Sequence, residues 1–143
     1  MPTDMAKRYT VIPWLMFQMG GIGPMLGQAH HFRLYLPEKI DYAFKRYTNE
    51  ASLLCRVVDK RLAKVEYLAG DYSIADTATY PWLRYHENQG RKLEDYPHLK
   101  RWYDAVSERP AVQRGLAVLQ EESSTPEQME RQAKDLLFGA GQF

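Results

Sequence analysis

The stretch Gly70-Asp71-Tyr72-Ser73-Ile74-Ala75-Asp76 constrains the fold more than any other part of the chain, because it is a complete helix start. Ser73 is placed to cap the helix by accepting from the Asp76 backbone N–H, and the Asp76 carboxylate can reach back to the Ser73 N–H. Both donors would otherwise be orphans. Aspartate is shorter than the usual Glu or Gln at the third helical position, so it needs a tight first turn and implies a buried, fixed start. Tyr72 is placed to staple onto Thr77, although Thr77 offers only a methyl group. The following Thr77-Ala78-Thr79-Tyr80-Pro81-Trp82-Leu83 is apolar or small on nearly every face, which predicts a helix running through the middle of the domain.

The rest of the chain is arranged in helical periods around this start. Thr3 or Asp4 can cap a first helix, in which Met5, Tyr9, Ile12, Met16 and Met19 recur at spacings of three and four and predict a buried stripe. Pro13 is expected to bend or loosen that helix near Tyr9. Gly20-Gly21-Ile22-Gly23-Pro24 either ends the helix or kinks it so that something packs against bare backbone, with two further turns over 25–32. A second long helix is predicted from near Pro37, with Ile40, Phe44, Tyr47, Ala51, Leu54, Val58, Leu62 and Val65 as its stripe and Gly70 beyond its end. It would lie antiparallel to the first, across a link at 33–36. Asn88-Gln89-Gly90 stops the central helix. Tyr96 opens another, which runs to Glu108 or Arg109 and is ended by Pro110. A short helix over 111–120 follows, and a second capping-box pattern at Thr125-Pro126-Glu127-Gln128 opens a tail helix over about 125–138. The expected fold is all-α, about six helices, in one domain spanning 1–143.

Composition narrows the function class. A chain of 143 residues with 45% hydrophobic and 26% charged residues reads as a soluble globular domain with a core of its own. A net charge of +1, with both signs mixed, gives no electrostatic footprint for nucleic acid or an anionic membrane. No apolar run approaches the roughly 18 residues of a membrane span, and the first residues lack a signal-peptide core. Cys55 is the only cysteine, which rules out an internal disulfide and points to the cytoplasm.

Two motifs, in order, carry a resemblance. Tyr67-Leu68-Ala69-Gly70-Asp71-Tyr72-Ser73-Ile74-Ala75-Asp76 resembles the signature of the C-terminal helical domain of glutathione S-transferases, where the Ser and Asp cap the central helix. Tyr96-Pro97-His98-Leu99-Lys100-Arg101-Trp102 with Glu108-Arg109-Pro110-Ala111-Val112 resembles the second recurring signature of that domain. The run from Phe17 to Gln28, followed by His30-His31-Phe32, is similar to the Nu-class bacterial transferases and the yeast nitrogen-regulator group. The resemblance implies the helical half of a glutathione transferase, contributing the acceptor-substrate pocket and dimer contacts for conjugation or disulfide reduction. It implies glutathione as co-substrate, a small electrophile or disulfide as second substrate, a homodimer, and an N-terminal thioredoxin-like domain as partner. The chain has no βαβ pattern for that thiol-activating domain, so no catalytic residue is expected in it and no activity is expected of it alone. The competing reading is a non-catalytic helical protein-interaction module.

The resemblance also implies site residues. Arg46, in Tyr42-Ala43-Phe44-Lys45-Arg46-Tyr47, corresponds to an arginine that reaches glutathione bound by the other subunit, a role suited to a guanidinium that clamps carboxylates bidentately. Its plain alternative is a solvated helix charge pairing with Glu50. Trp14, Phe17, Gln18, Gly21 and Pro24 fall on the helix that lines the acceptor pocket in this family. Trp82 and Trp102 lie in core-type patterns and read as packing. The glycines at 20–27 lack the Lys-Ser/Thr and preceding strand of a phosphate loop. His30-His31 are adjacent on a helix, point in different directions and have no third ligand nearby, so no metal is expected. Cys55 reads as a structural thiol.

Overall fold

The computed structural model describes residues 1–36 and 38–118. These form two compact units, Met1–Ser107 and one that begins at Glu108. Among the described residues the fold is all-α with no strand; only isolated bridges pair Tyr67 with Gly70 and Ala69 with Asp71. The expected tail helix at 125–138 and the proposed helix-opening Pro37 lie outside the described residues.

The first helix, α1 (Met5–Phe17), starts where Asp4 accepts from the Lys7 N–H at 2.9 Å. Its expected stripe is not buried. Met5, Tyr9, Met16 and Met19 are all more than half exposed, and the inward positions are instead Val11, Gln18 and Ile22. The three/four spacing was real, but it marks a face that nothing in this unit covers. Pro13 does not interrupt α1; it has no N–H to donate to the Tyr9 carbonyl, and both residues are exposed. The glycine run does not end the helix but widens one turn of it. Gln18–Ile22 form a π-helical turn, in which the Gly23 N–H donates to the Gln18 carbonyl, and α2 (Gly23–Leu34) continues for three turns rather than the two expected. The wider turn removes a conflict, because in a regular helix the Pro24 ring would press on the Gly20 carbonyl.

The second long helix, α3 (Asp41–Leu62), begins four residues later than expected, so Ile40 is exposed. The second half of its stripe is buried, Ala51, Leu54, Val58 and Leu62, joined by Cys55; Phe44 and Tyr47 are half-buried, and Val65 lies beyond the end of the helix. Gly70 does not follow the end of α3. It has φ of +95°, a conformation costly to any side chain, and closes a tight turn in which its N–H donates to the Tyr67 carbonyl at 2.8 Å.

The central helix, α4 (Ile74–Leu83), packs on α1, the π turn, α2 and α5 (Pro97–Ser107). It buries Ala75, Asp76, Thr79, Tyr80 and Leu83 but leaves Thr77, Pro81 and Trp82 open, so one face is free where an enclosed helix was expected. It also ends before the Asn88-Gln89-Gly90 signal, and consecutive turns carry the chain to Gly90 at φ +74°. The Arg33 guanidinium lies flat on Gly90, where a Cβ would stand 2.6 Å from Cζ.

Side chains distant in sequence lock α3 and α5 together. Asp59, near the end of α3, accepts from the His98 and Leu99 N–H groups at 2.8 and 2.9 Å and so caps α5 in trans. In return Arg101 of α5 donates to the Leu62 carbonyl at the end of α3 and to the Val65 and Glu66 carbonyls just beyond it. In the second unit, α6 (Pro110–Ala117) opens at Pro110, the residue expected to end the preceding helix, which stops at Ser107.

Candidate functional site

The capping box forms and does more than cap. Ser73 Oγ accepts from the Ala75 N–H at 3.2 Å, and the Ser73 N–H donates to Asp76 Oδ2 at 2.9 Å, with both arms of the box present. The other carboxyl oxygen, Oδ1, accepts from the Leu68 N–H at 3.0 Å and from the Trp102 indole N–H at 2.8 Å. Asp76 and Trp102 are both fully buried. One side chain thus fixes the start of α4, the preceding turn and the middle of α5. The staple is polar: Thr77 Oγ1 donates to the Tyr72 hydroxyl at 3.3 Å.

With α4 fixed, its open face meets the π turn. Gln18, Met19, Gly23, Pro24, Ala78 and Trp82 line an open groove of about 420 Å³. The π turn carries Gln18 inward, leaving it only 4% exposed. Trp82, expected in the core, is instead 39% exposed and forms a wall of this groove, with its ring against Gly23 and Gly27. A Cβ on Gly23 would come within 3.2 Å of the ring and one on Gly27 within 3.4 Å, so the two glycines, four apart on α2, make the flat seat the indole needs. That spacing was the available signal for Trp82.

The five residues expected on the pocket helix divide between two sides. Gln18 and Pro24 line the groove. Trp14, Phe17 and Gly21 face α3. Trp14 and Phe17 make an edge contact at 5.6 Å, the Arg61 guanidinium lies 5.4 Å from the Trp14 ring, and a Cβ on Gly21 would touch Leu54 at 3.4 Å.

Arg46 lies elsewhere, on the outer face of α3. Together with Tyr42, Lys45, Asn49, Glu50 and Leu53 it lines a shallow depression of about 370 Å³. Among the described residues Arg46 forms no ion pair, with Glu50 or any other acid. Its guanidinium is exposed, on the same face as exposed Tyr42, Leu53 and Val57.

The remaining polar candidates have structural surroundings. His30 lies between the Tyr35 and Tyr85 rings at 5.3 and 5.6 Å, and burial holds its pKa below the ordinary value of 6.5. His31 contacts Phe32 and Tyr35, and no three metal-ligating side chains gather among the described residues. Cys55 is buried, and burial pushes its thiol up to about 11, so it carries no thiolate at neutral pH. Among the described residues no helix is long and apolar enough to cross a membrane.

Comparison with known proteins adds to this geometry. The family described as glutathione S-transferase, C-terminal domain, matches residues 24–110. The disulfide-bond oxidoreductase YfcG of Escherichia coli is 42% identical over 111 residues, covering 77% of this chain and 52% of that protein. The disulfide-bond oxidoreductase YghU of the same organism is 42% identical over 127 residues, covering 82% of this chain and 44% of that protein. A glutathione transferase from Burkholderia graminis, solved with two glutathione molecules bound per subunit, superposes with a TM-score of 0.76 at 40% identity, covering 83% of this chain and 53% of that one. The chain spans about half the length of the curated relatives it matches.

Proposed function

The chain belongs to the glutathione S-transferase C-terminal domain family, and on that premise we propose that it is the helical half of a glutathione-dependent transferase or disulfide reductase. The observation that carries the reading is the free guanidinium of Arg46 on a face of α3 where apolar side chains are also open to solvent. Tyr42, Leu53 and Val57 are exposed there at 77%, 54% and 36%, which suits a face covered by a second copy of the chain. Arg46 then reaches across to a glutathione held by the partner subunit and clamps one of its two carboxylates. The groove of Gln18, Pro24 and Trp82 takes the acceptor, a small electrophile or disulfide. Activation of the glutathione thiol falls to a thioredoxin-like partner domain, where hydrogen bonds that favour the thiolate can act. The buried, single Cys55 supports a reducing, cytoplasmic location.

The test joins this chain to the thioredoxin-like domain of a relative such as YfcG and measures glutathione binding by calorimetry on a confirmed dimer. Arg46→Ala is expected to weaken binding by about 1–3 kcal/mol, as for a lost charge-assisted hydrogen bond. An unchanged dissociation constant returns Arg46 to the solvated face. A fused protein that binds no glutathione leaves the chain as an interaction module.

A further inference from the structure

We infer that Arg33, Thr48 and Arg91, gathered where α2, α3 and the turn at Gly90 meet, form a binding site for a doubly charged phosphate group, free or as a monoester. The site is separate from Arg46 and from the groove at Trp82, and it does not depend on the glutathione reading.

Arg33 is held as a flat cation. It belongs to the last turn of α2, and its guanidinium lies 4.8 Å from the centre of the Phe44 ring on α3. A Cβ on Gly90 would stand 2.6, 2.7 and 2.9 Å from Arg33 Cζ, Nη1 and Nη2, three similar distances, as a face-on guanidinium gives. Its N–H groups lie in the plane of the fork, and among the described residues they meet no acceptor.

Arg91 follows Gly90 directly and also reaches α3. Its Nη1 donates to Ser52 Oγ, while its Nε is buried without a partner among the described residues. Ser52 spends its own proton on the Thr48 carbonyl at 3.1 Å. Phe44, Thr48 and Ser52 stand four apart along one face of α3, so the two arginines rest on the helix about 12 Å apart with Thr48 midway. Thr48 Oγ1 is the second buried and unbonded atom there.

No acid offsets these two cations. Among the described residues the ion pairs are Lys7 with Asp71, Lys39 with Asp41 and Lys100 with Asp104. Lys39, which also lies over the Phe44 ring, is therefore matched. Asp59, one turn beyond Cys55 on α3, is engaged in capping α5, and Glu87, three residues before Gly90, is exposed. Two unmatched guanidiniums and a hydroxyl call for about two negative charges and several acceptor oxygens. A phosphate group brings about 1.5 to 2 charges at neutral pH and three strong acceptors. A carboxylate brings one charge and serves one fork, leaving the other unmet. Forked guanidiniums suit such oxyanions better than point-charge ammonium groups. Both arginines are half-buried, which leaves the ion a way in from solvent.

The experiment titrates the full 143-residue chain with inorganic phosphate, methyl phosphate and acetate at fixed ionic strength, read by proton–nitrogen NMR. Phosphate is expected to shift the Gly90 and Arg91 amide and Arg91 Nε–H resonances along a saturable curve, and to bind about 10-fold or more tightly than acetate. Arg33→Gln and Arg91→Gln should each weaken phosphate about 10-fold, Thr48→Val about 2- to 5-fold, and Arg46→Gln should leave it unchanged. If Arg91→Gln fails to fold, Arg33→Gln and Thr48→Val, which remove no side-chain hydrogen bond, carry the test. Methyl phosphate bound as tightly as phosphate supports the site with a monoester as its ligand, and weaker methyl phosphate supports it with the free ion. Acetate equal to phosphate, a response that does not saturate, or an affinity that follows Arg46 rather than Arg33 overturns the inference. So does the absence of any shift, which leaves Thr48 and Arg91 to water.

Discussion

The α3–α5 pairing and α1 carry the same helical periodicity and meet opposite fates. On α3, the apolar positions from Ala51 to Leu62 that face α2 and α5 are buried while Leu53 and Val57 look outward, and Asp59 and Arg101 tie α3 and α5 end to end. On α1, Met5, Tyr9 and Met16 keep the same spacing and remain in solvent. A three/four stripe reports that a helix has an apolar face. It does not report whether the surface that covers this face lies in the same compact unit. The buried region also differs in kind, because Asp76, Asp59 and Arg101 bond across long sequence separations there. Its stability therefore depends on single side chains, whereas α1 presents replaceable ones.

The strongest test of that contrast is Asp76→Ala. It would leave the Ser73, Leu68 and Trp102 N–H groups without their acceptor in a buried place, and is expected to cost about 3–5 kcal/mol in a denaturant melt. A loss no larger than that of Ser73→Ala, about 1 kcal/mol for the cap alone, would mean that Asp76 acts only within its own helix. Asp59→Ala comes next. It uncaps α5 in trans and should cost about 1–2 kcal/mol, with hydrogen exchange quickening at His98 and Leu99. Unchanged exchange there would dissolve the reciprocal tie.

A gentler probe is pH. Burial between Tyr35 and Tyr85 lowers the His30 pKa below the unfolded value of 6.5, so the unfolded chain binds the proton first. The contribution is complete above pH 6.5 and fades as pH falls below it, by less than one proton's worth of slope. His30→Phe should flatten the melting temperature between pH 7 and about 5.5 relative to the parent; an identical slope would show that His30 is not the titrating group. The smallest effects belong to α1. Tyr9→Gln and Met16→Gln are expected to change stability by no more than about 0.5 kcal/mol each, and a loss above about 1.5 kcal/mol would reveal contacts that make α1 part of the core.

These differences follow what a one-dimensional pattern can hold. The Ser73–Asp76 box was legible because its members lie within one turn and bond to each other's backbone. The all-helical class and the buried stripe of α3 were legible for the same reason, since periodicity is local. The Asp76–Trp102 bond, the Asp59 cap and the Arg101 clamp join residues 26 to 40 positions apart, and nothing in the spacing announces them. In the candidate site, Gln18 and Pro24 could be picked out from the pocket helix, but Trp82 reads as core until the glycines that seat it are seen as its partners. Gly70 and Gly90 were visible as punctuation. The work each does, closing a turn at φ +95° and receiving the Arg33 guanidinium, depends on neighbours in space.

The π turn at Gln18–Ile22 has a geometric consequence for the whole span from Met5 to Leu34. It inserts one residue more than a regular helix would use, which puts the two halves out of phase by about 100°, the angular step of one residue. Positions before and after it cannot be projected on a single helical wheel. Gln18 and Gly23, five apart, come to share one wall of the groove through that offset. The groove is thus a phase error preserved in the backbone. A chain one residue shorter between Gln18 and Gly23 would keep its helix and its composition, yet it would turn α1 about its own axis and part the amide from the ring.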